Sequence, residues 1–108
     1  HVDGIGHVQV FEQVGESWLL RVQSPPELGR FLAYKGSITI NGVSLTVNAV
    51  TDVAQGTLFD INLIPHTVTH TSLGDLRAGS PVNLEVDTVA RYVERMLHAA
   101  PPLRSPAP

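Results

Sequence analysis

The 108-residue chain contains no cysteine, one methionine and one tryptophan. Without cysteine there is no disulfide framework, no thiolate metal site and no cysteine nucleophile. A reducing, cytoplasmic setting fits that composition. Basic residues are also scarce, with seven Lys and Arg against ten Asp and Glu, a net charge of −3 and no basic cluster. A nucleic-acid binder needs such a cluster to neutralise phosphates and release counterions, so nucleic acid is not an expected partner. No apolar run approaches the ~20 residues of a membrane-spanning helix. The chain opens on His1 with neither an initiator methionine nor a signal-peptide pattern. A segment of a longer protein is therefore expected.

What remains is a single domain's worth of chain, 43% hydrophobic, long enough to bury a real core. Strand patterns dominate its first 86 residues. "HVQVFEQV" (His7–Val14) and "SWLLRVQ" (Ser17–Gln23) alternate or run apolar. "SPPELGRFLA" then reads as a two-turn helix, with Ser24 as cap, Pro25 in the first position and Glu27 completing a capping box. "KGSITINGVSLTV" (Lys35–Val47) reads as two strands around Asn41-Gly42, a dipeptide suited to the positive φ angles of a type I′ turn. "GTLFDINLI" (Gly56–Ile64) is a fifth strand, with Phe59, Ile61 and Leu63 on one face and Leu58, Asp60 and Asn62 on the other. "PVNLEV" (Pro81–Val86) is a sixth.

Beyond it the period changes. Val89, Val93, Met96 and Leu97 recur at helical spacing after Asp87, a candidate N-cap. Their apolar stripe requires a surface to pack on, either the rest of the domain or a partner chain. The all-β expectation is a small closed or nearly closed antiparallel barrel over residues 1–86, a C-terminal helix over 87–98 and a disordered Pro/Ala-rich tail over 99–108.

Three features bear on chemistry. His66 and His70 in "PHTVTH" are an i, i+4 pair. On a helix they would share a face and a metal; on a strand they would lie ~13 Å apart. The β-branched Thr67, Val68 and Thr69 disfavour a long helix, and no third ligand is evident, so no metal is assigned. "DGIGHV" lacks the third glycine and the following helix of a dinucleotide fingerprint. The third feature is a row of hydroxyls: Ser37, Thr39, Ser44 and Thr46 alternate against Ile38, Ile40, Val43, Leu45 and Val47. An ordinary solvent-facing sheet would show the same row. So would the wall of a pocket for a neutral, polar, ring-shaped ligand. Pattern alone does not separate the two.

The motifs "YKGSITINGVSLTV" and "LIPHTVTHTSLGDLRAGSPVNLEVDTVARYVERML" together resemble the second, C-terminal barrel of riboflavin synthase of the α-chain type, from about Val2 to Leu97. The resemblance implies a six-stranded Greek-key barrel that binds 6,7-dimethyl-8-ribityllumazine. In that family two lumazines meet between barrels of neighbouring chains and exchange a four-carbon unit. Riboflavin and a ribitylamino-pyrimidinedione result, with no metal or organic cofactor, and catalysis is chiefly by proximity. It further implies association of three chains through the terminal helix, and an N-terminal barrel as partner.

Carried over position by position, Ser44, Leu45 and Thr46 would line the pteridine pocket. Leu63, Ile64, Pro65, His66, Thr67 and Val68 would close its other side through backbone groups and the Thr67 hydroxyl. Lys35 would contact ligand at the rim, facing the adjoining chain's site. No catalytic residue is assigned. Two other readings stand beside this one: a non-catalytic lumazine- or flavin-binding module of the lumazine-protein type, and an association element acting only through its terminal helix.

Overall fold

The computed structural model describes residues 1–99 of the 108. Six strands, β1 (Gly4–Val14), β2 (Ser17–Ser24), β3 (Ser37–Ile40), β4 (Val43–Val53), β5 (Gly56–Leu63) and β6 (Pro81–Val86), carry the fold. They close into an antiparallel barrel in the order β1-β2-β5-β4-β3-β6. β3, β4 and β5 form a meander, while the β2–β3 and β5–β6 connections cross the barrel ends, a Greek-key path. Closure gives each strand two neighbours, which leaves little sheet edge to template aggregation.

Alternation supplies the core. Ile38, Ile40, Val47, Phe59, Ile61, Leu63, Val82 and Leu84 point inward and are at most 2% exposed. Asn41 and Gly42 take positive φ angles of 49° and 83°, as the two-residue turn requires. Asn41 also ties this turn to β6, since its Oδ1 accepts from Asn83 N–H at 2.8 Å.

β1 begins at Gly4, three residues earlier than the sequence pattern indicates, and it pairs with β6 through Gly4–His7. The glycine-rich "DGIGHV" is therefore strand with no helix behind it, which removes the dinucleotide reading. The short helix after β2 forms as a 3-10 helix over Pro26–Phe31, without the Ser24 cap. Ser24 belongs to β2 and its hydroxyl donates to Pro25 O at 3.1 Å, and a 3-10 turn begins only at Pro26. The cause is local: a proline excludes the helical region for the residue before it, so Pro26 holds Pro25 extended at φ −63°, ψ 156°.

Two α-helices complete the chain. α1 (Pro65–His70) lies in the β5–β6 connection, and α2 (Thr88–His98) follows β6. Asp87 occupies the N-cap position of α2 but makes no capping bond. Instead α2 is held by its polar side. The Asp3 carboxylate accepts from Val86 N–H at 2.8 Å and from the Arg91 guanidinium, which also lies 5.1 Å from the Phe31 ring centroid. Arg30 and Glu94 are 3.8 Å apart. The apolar stripe consequently points away from the barrel, with Val89, Tyr92, Val93, Met96 and Leu97 48–80% exposed. Residues 100–108, most of the Pro/Ala-rich tail, lie outside the described residues.

Candidate functional site

The hydroxyl row is on the barrel's outer wall. Ser37 pairs with Thr46 and Thr39 with Ser44 across β3 and β4. Ser37, Ser44 and Thr46 are exposed, and Thr39 is half-buried. Leu45, between the two β4 hydroxyls, turns toward the core and is half-buried.

This wall ends where the barrel wall opens. The β4–β5 ladder begins at Val47 opposite Ile61. Counting back along both strands sets Thr46 opposite Asn62 and Leu45 opposite Leu63, but no pairing is formed there. β5 leaves the sheet after Leu63 and enters α1 at Pro65. The ladder thus leaves a gap between residues 44–46 and 62–63, and α1 follows directly from β5.

α1 is only six residues long, too short to persist alone in water. Pro65 in its first turn suits the helix entry. The N–H groups of Thr67 and Val68 donate to Ile64 O at 3.0 and 3.2 Å. At its far end the Thr71 hydroxyl donates to Thr67 O at 2.7 Å and accepts from Leu73 N–H at 3.2 Å. Gly74 seats the helix from below: a Cβ there would lie 2.2 Å from Val68 O. Val68 packs on the barrel core, while Ile64, Pro65, His66 and Thr69 are exposed and Thr67 is half-buried. The β-branched run is therefore helical, contrary to its weak propensity, because packing on Gly74 and the core outweighs a few tenths of a kcal/mol per residue.

Lys35 sits at the same end of the wall, in the turn before β3. The turn Ala33–Gly36 is closed by Gly36 N–H donating to Ala33 O at 2.9 Å, and Lys35 in its third position has φ 70°. Its N–H donates to Val47 O, and Gly36 O accepts from Val47 N–H, both at 2.8 Å. Two residues thus oppose one, a bulge that fixes where the Lys35 stem leaves the sheet. Its ammonium lies 5.3 Å from the exposed Tyr34 ring centroid.

Ser44, Leu45 and Thr46 thus lie on β4 where the β4–β5 ladder stops, Ile64–Val68 follow the exit of β5 into α1, and Lys35 lies beside Val47 in the turn before β3. Leu63 differs, because its side chain is 1% exposed in the core, leaving only its backbone to face the gap. Asn62 was missed. Its outward parity on β5 was legible, but the opening of the ladder opposite Thr46 was not, and it adds an exposed amide to the wall. The wall is neutral apart from Lys35, and its groups both donate and accept. It is an open surface. Two depressions of ≈ 350 and ≈ 380 Å³ lie elsewhere, one lined by Arg30, Asp52 and Thr57, the other by His7, Gln9 and Gln23.

His66 and His70 do share a helix face, with ring centroids 4.0 Å apart and 18° between planes. No group of three or more His, Cys, Asp or Glu side chains that could hold a metal occurs among the described residues.

The fold defines the class, a small closed antiparallel β-barrel. The comparisons narrow the class. The family model described as "Lumazine binding domain" matches residues 1–87. The chain belongs to the lumazine-binding-domain family. It is 42% identical over 97 residues to riboflavin synthase of Photobacterium phosphoreum, covering 90% of this chain and 43% of that one. It is 43% identical over 101 residues to riboflavin synthase of Mycobacterium tuberculosis (strain ATCC 25618 / H37Rv), covering 93% and 49%. The chain thus spans about half the length of the curated relatives it matches. Among solved structures, LumP complexed with 6,7-dimethyl-8-(1'-D-ribityl) lumazine superposes with a TM-score of 0.68 at 26% identity, over 80% of this chain and 43% of that one. LumP complexed with flavin mononucleotide gives 0.72 at 24%, over 82% and 48%, a likeness of fold.

Proposed function

We propose that this barrel binds 6,7-dimethyl-8-ribityllumazine in the gap between β4 and α1, as one of the two barrels of a riboflavin synthase. By its motifs it is the C-terminal one. The observation that carries the reading is the opened β4–β5 ladder. It ends β4–β5 pairing at Val47 and Ile61, which leaves Ser44, Thr46 and Asn62 unpaired across that ladder just before Leu63–Val68, in a family described by lumazine binding. Hydroxyls, an amide and backbone groups suit the amide-like edge of the pteridine and the hydroxyls of a ribityl chain, with no charge to neutralise.

An open wall covers one face of a ring. The other face then needs a second surface, and a barrel of a neighbouring chain carrying its own lumazine supplies one. Stacking two substrates in this way converts an encounter of two molecules into a reaction within one complex, and the products are riboflavin and the ribitylamino-pyrimidinedione. The catalytic proton-transfer groups are left unassigned. The exposed stripe of α2 is the proposed association surface, with the N-terminal barrel and further copies of the chain as partners, the trimer being the expected assembly. The cytoplasm is the proposed location.

The solved LumP complexes favour one second reading, a binding module without turnover. Mixing this chain with a riboflavin synthase N-terminal barrel and following riboflavin formation separates the two. Turnover by the mixture, absent from either part alone, supports the enzyme; lumazine binding without turnover supports the module. In the same sample, amide chemical-shift changes on adding lumazine should centre on residues 44–46 and 62–68. Changes centred on either depression instead would overturn the site.

A further inference from the structure

The wall described above uses the backbone of α1 and leaves its outward pair of imidazoles unexplained. His66 and His70 are exposed, share one face of the helix and stack with centroids 4.0 Å apart. His70 Nδ1 lies 2.9 Å from His66 O, to which it can donate, and 2.8 Å from the Thr69 hydroxyl, which is itself within reach of the carbonyls of Pro65 and His66 at 3.1 and 3.2 Å. In the tautomer that carries its proton on Nδ1, Nε2 presents a lone pair.

This is the arrangement found at metal-ligating histidines, where the second ring nitrogen donates to a backbone carbonyl that orients the ring and raises its basicity. His66 presents its imidazole one turn earlier on the same side. Two nitrogens bound tetrahedrally at ~2.05 Å from one ion are about 3.4 Å apart. The ring centroids are 4.0 Å apart, and both side chains are exposed. No Lys, Arg, Asp or Glu forms an ion pair within 4.0 Å of either imidazole among the described residues, so neither ring is already engaged by a charge.

We propose that His66 and His70 form a two-histidine site for a borderline divalent transition ion, with Zn²⁺, Ni²⁺ and Cu²⁺ as the class that imidazole selects, and with water in the remaining positions. Binding ties the first turn of α1 to its last and stiffens the segment. Because ligation needs neutral imidazoles, protons compete with the metal and acid weakens the site.

The test is calorimetric titration of the metal-stripped chain with Zn²⁺ and with Ni²⁺ at pH 7.5 and pH 5. A paramagnetic Cu²⁺ titration, read by amide line broadening, locates the site. One saturable site per chain at pH 7.5 is expected, weakened at least tenfold at pH 5. His66→Ala and His70→Ala should each weaken it at least tenfold, while His1→Ala, His7→Ala and His98→Ala leave it unchanged. Thr69→Val, which removes one partner of His70 without removing a ligand, should weaken it by a smaller factor. Binding that survives in His66→Ala or His70→Ala, or that is lost in His1→Ala, would overturn the proposal. So would broadening centred away from residues 65–71. None of these readouts involves lumazine, so the site stands or falls independently of the proposed function.

Discussion

Lys35 is a lysine where the backbone favours glycine. At φ 70° in the third position of the Ala33–Gly36 turn, its Cβ crowds the following carbonyl at a cost of about 1–2 kcal/mol. Glycine removes that cost but loses about 0.4–1 kcal/mol more to unfolded-chain entropy than alanine does. The two terms leave Lys35→Gly more stable than Lys35→Ala by about 0.5–1 kcal/mol, roughly 3–6 °C in Tm for a domain of this size. The sign is diagnostic, because at negative φ the order reverses. Paired thermal and urea unfolding of the two variants measures it. Both variants lack the ammonium, so in the assembled protein both should lose lumazine affinity by about tenfold, the worth of one hydrogen bond to a charged group. Lys35→Gly would then be the more stable and the less functional protein, the signature of strain kept for a site. An alanine variant as stable as the glycine variant, or more so, would refute the reasoning.

Thr46→Val removes one exposed hydroxyl at nearly constant shape. Lumazine affinity should fall about five- to fifteen-fold by fluorescence titration, with stability within about 0.5 kcal/mol of the parent. Gly74→Ala drives a methyl group toward Val68 O, 2.2 Å from where Cβ would sit. It should cost about 1–3 kcal/mol by urea denaturation and weaken lumazine binding more than Thr46→Val does, because α1 is displaced. Asp3→Ala leaves the Val86 N–H and Arg91 without their shared acceptor. A loss of about 1–2 kcal/mol and reduced helical signal in far-UV circular dichroism are expected. Val93→Asp, in the middle of the exposed stripe of α2, should lower the association state in sedimentation velocity while leaving the unfolding midpoint of the barrel within about 0.5 kcal/mol.

The features legible in the sequence are those with a local cause. Period-two alternation placed Ile38, Ile40, Phe59, Ile61 and Leu63 inward and the hydroxyls of Ser37, Ser44 and Thr46 outward, and Asn41-Gly42 specified its turn through the two residues that tolerate positive φ. The failures have long-range or competing causes. The Ser24 capping box is a valid local signal overridden by another, since Pro26 keeps Pro25 out of the helical region. α1 forms against the propensity of Thr67, Val68 and Thr69 because Gly74, later in the same β5–β6 connection, lets it sit on the core. The face α2 turns outward depends on Asp3, distant in sequence, gripping Arg91. Asn62 is left unpaired with β4 only because the β4–β5 ladder stops one pair short of it. No window of sequence contains that information.

The central claim is that the gap between β4 and α1 holds a lumazine ring. Fluorescence titration of this chain with 6,7-dimethyl-8-ribityllumazine, run in parallel with the Ser44→Ala/Thr46→Ala double variant, tests it most directly. The account predicts saturable binding of one lumazine per chain, weakened by roughly one to two orders of magnitude in the double variant for two lost hydrogen bonds, with the two proteins equally stable. Absence of binding by the folded chain up to millimolar-order ligand, or equal binding by the double variant, would contradict it.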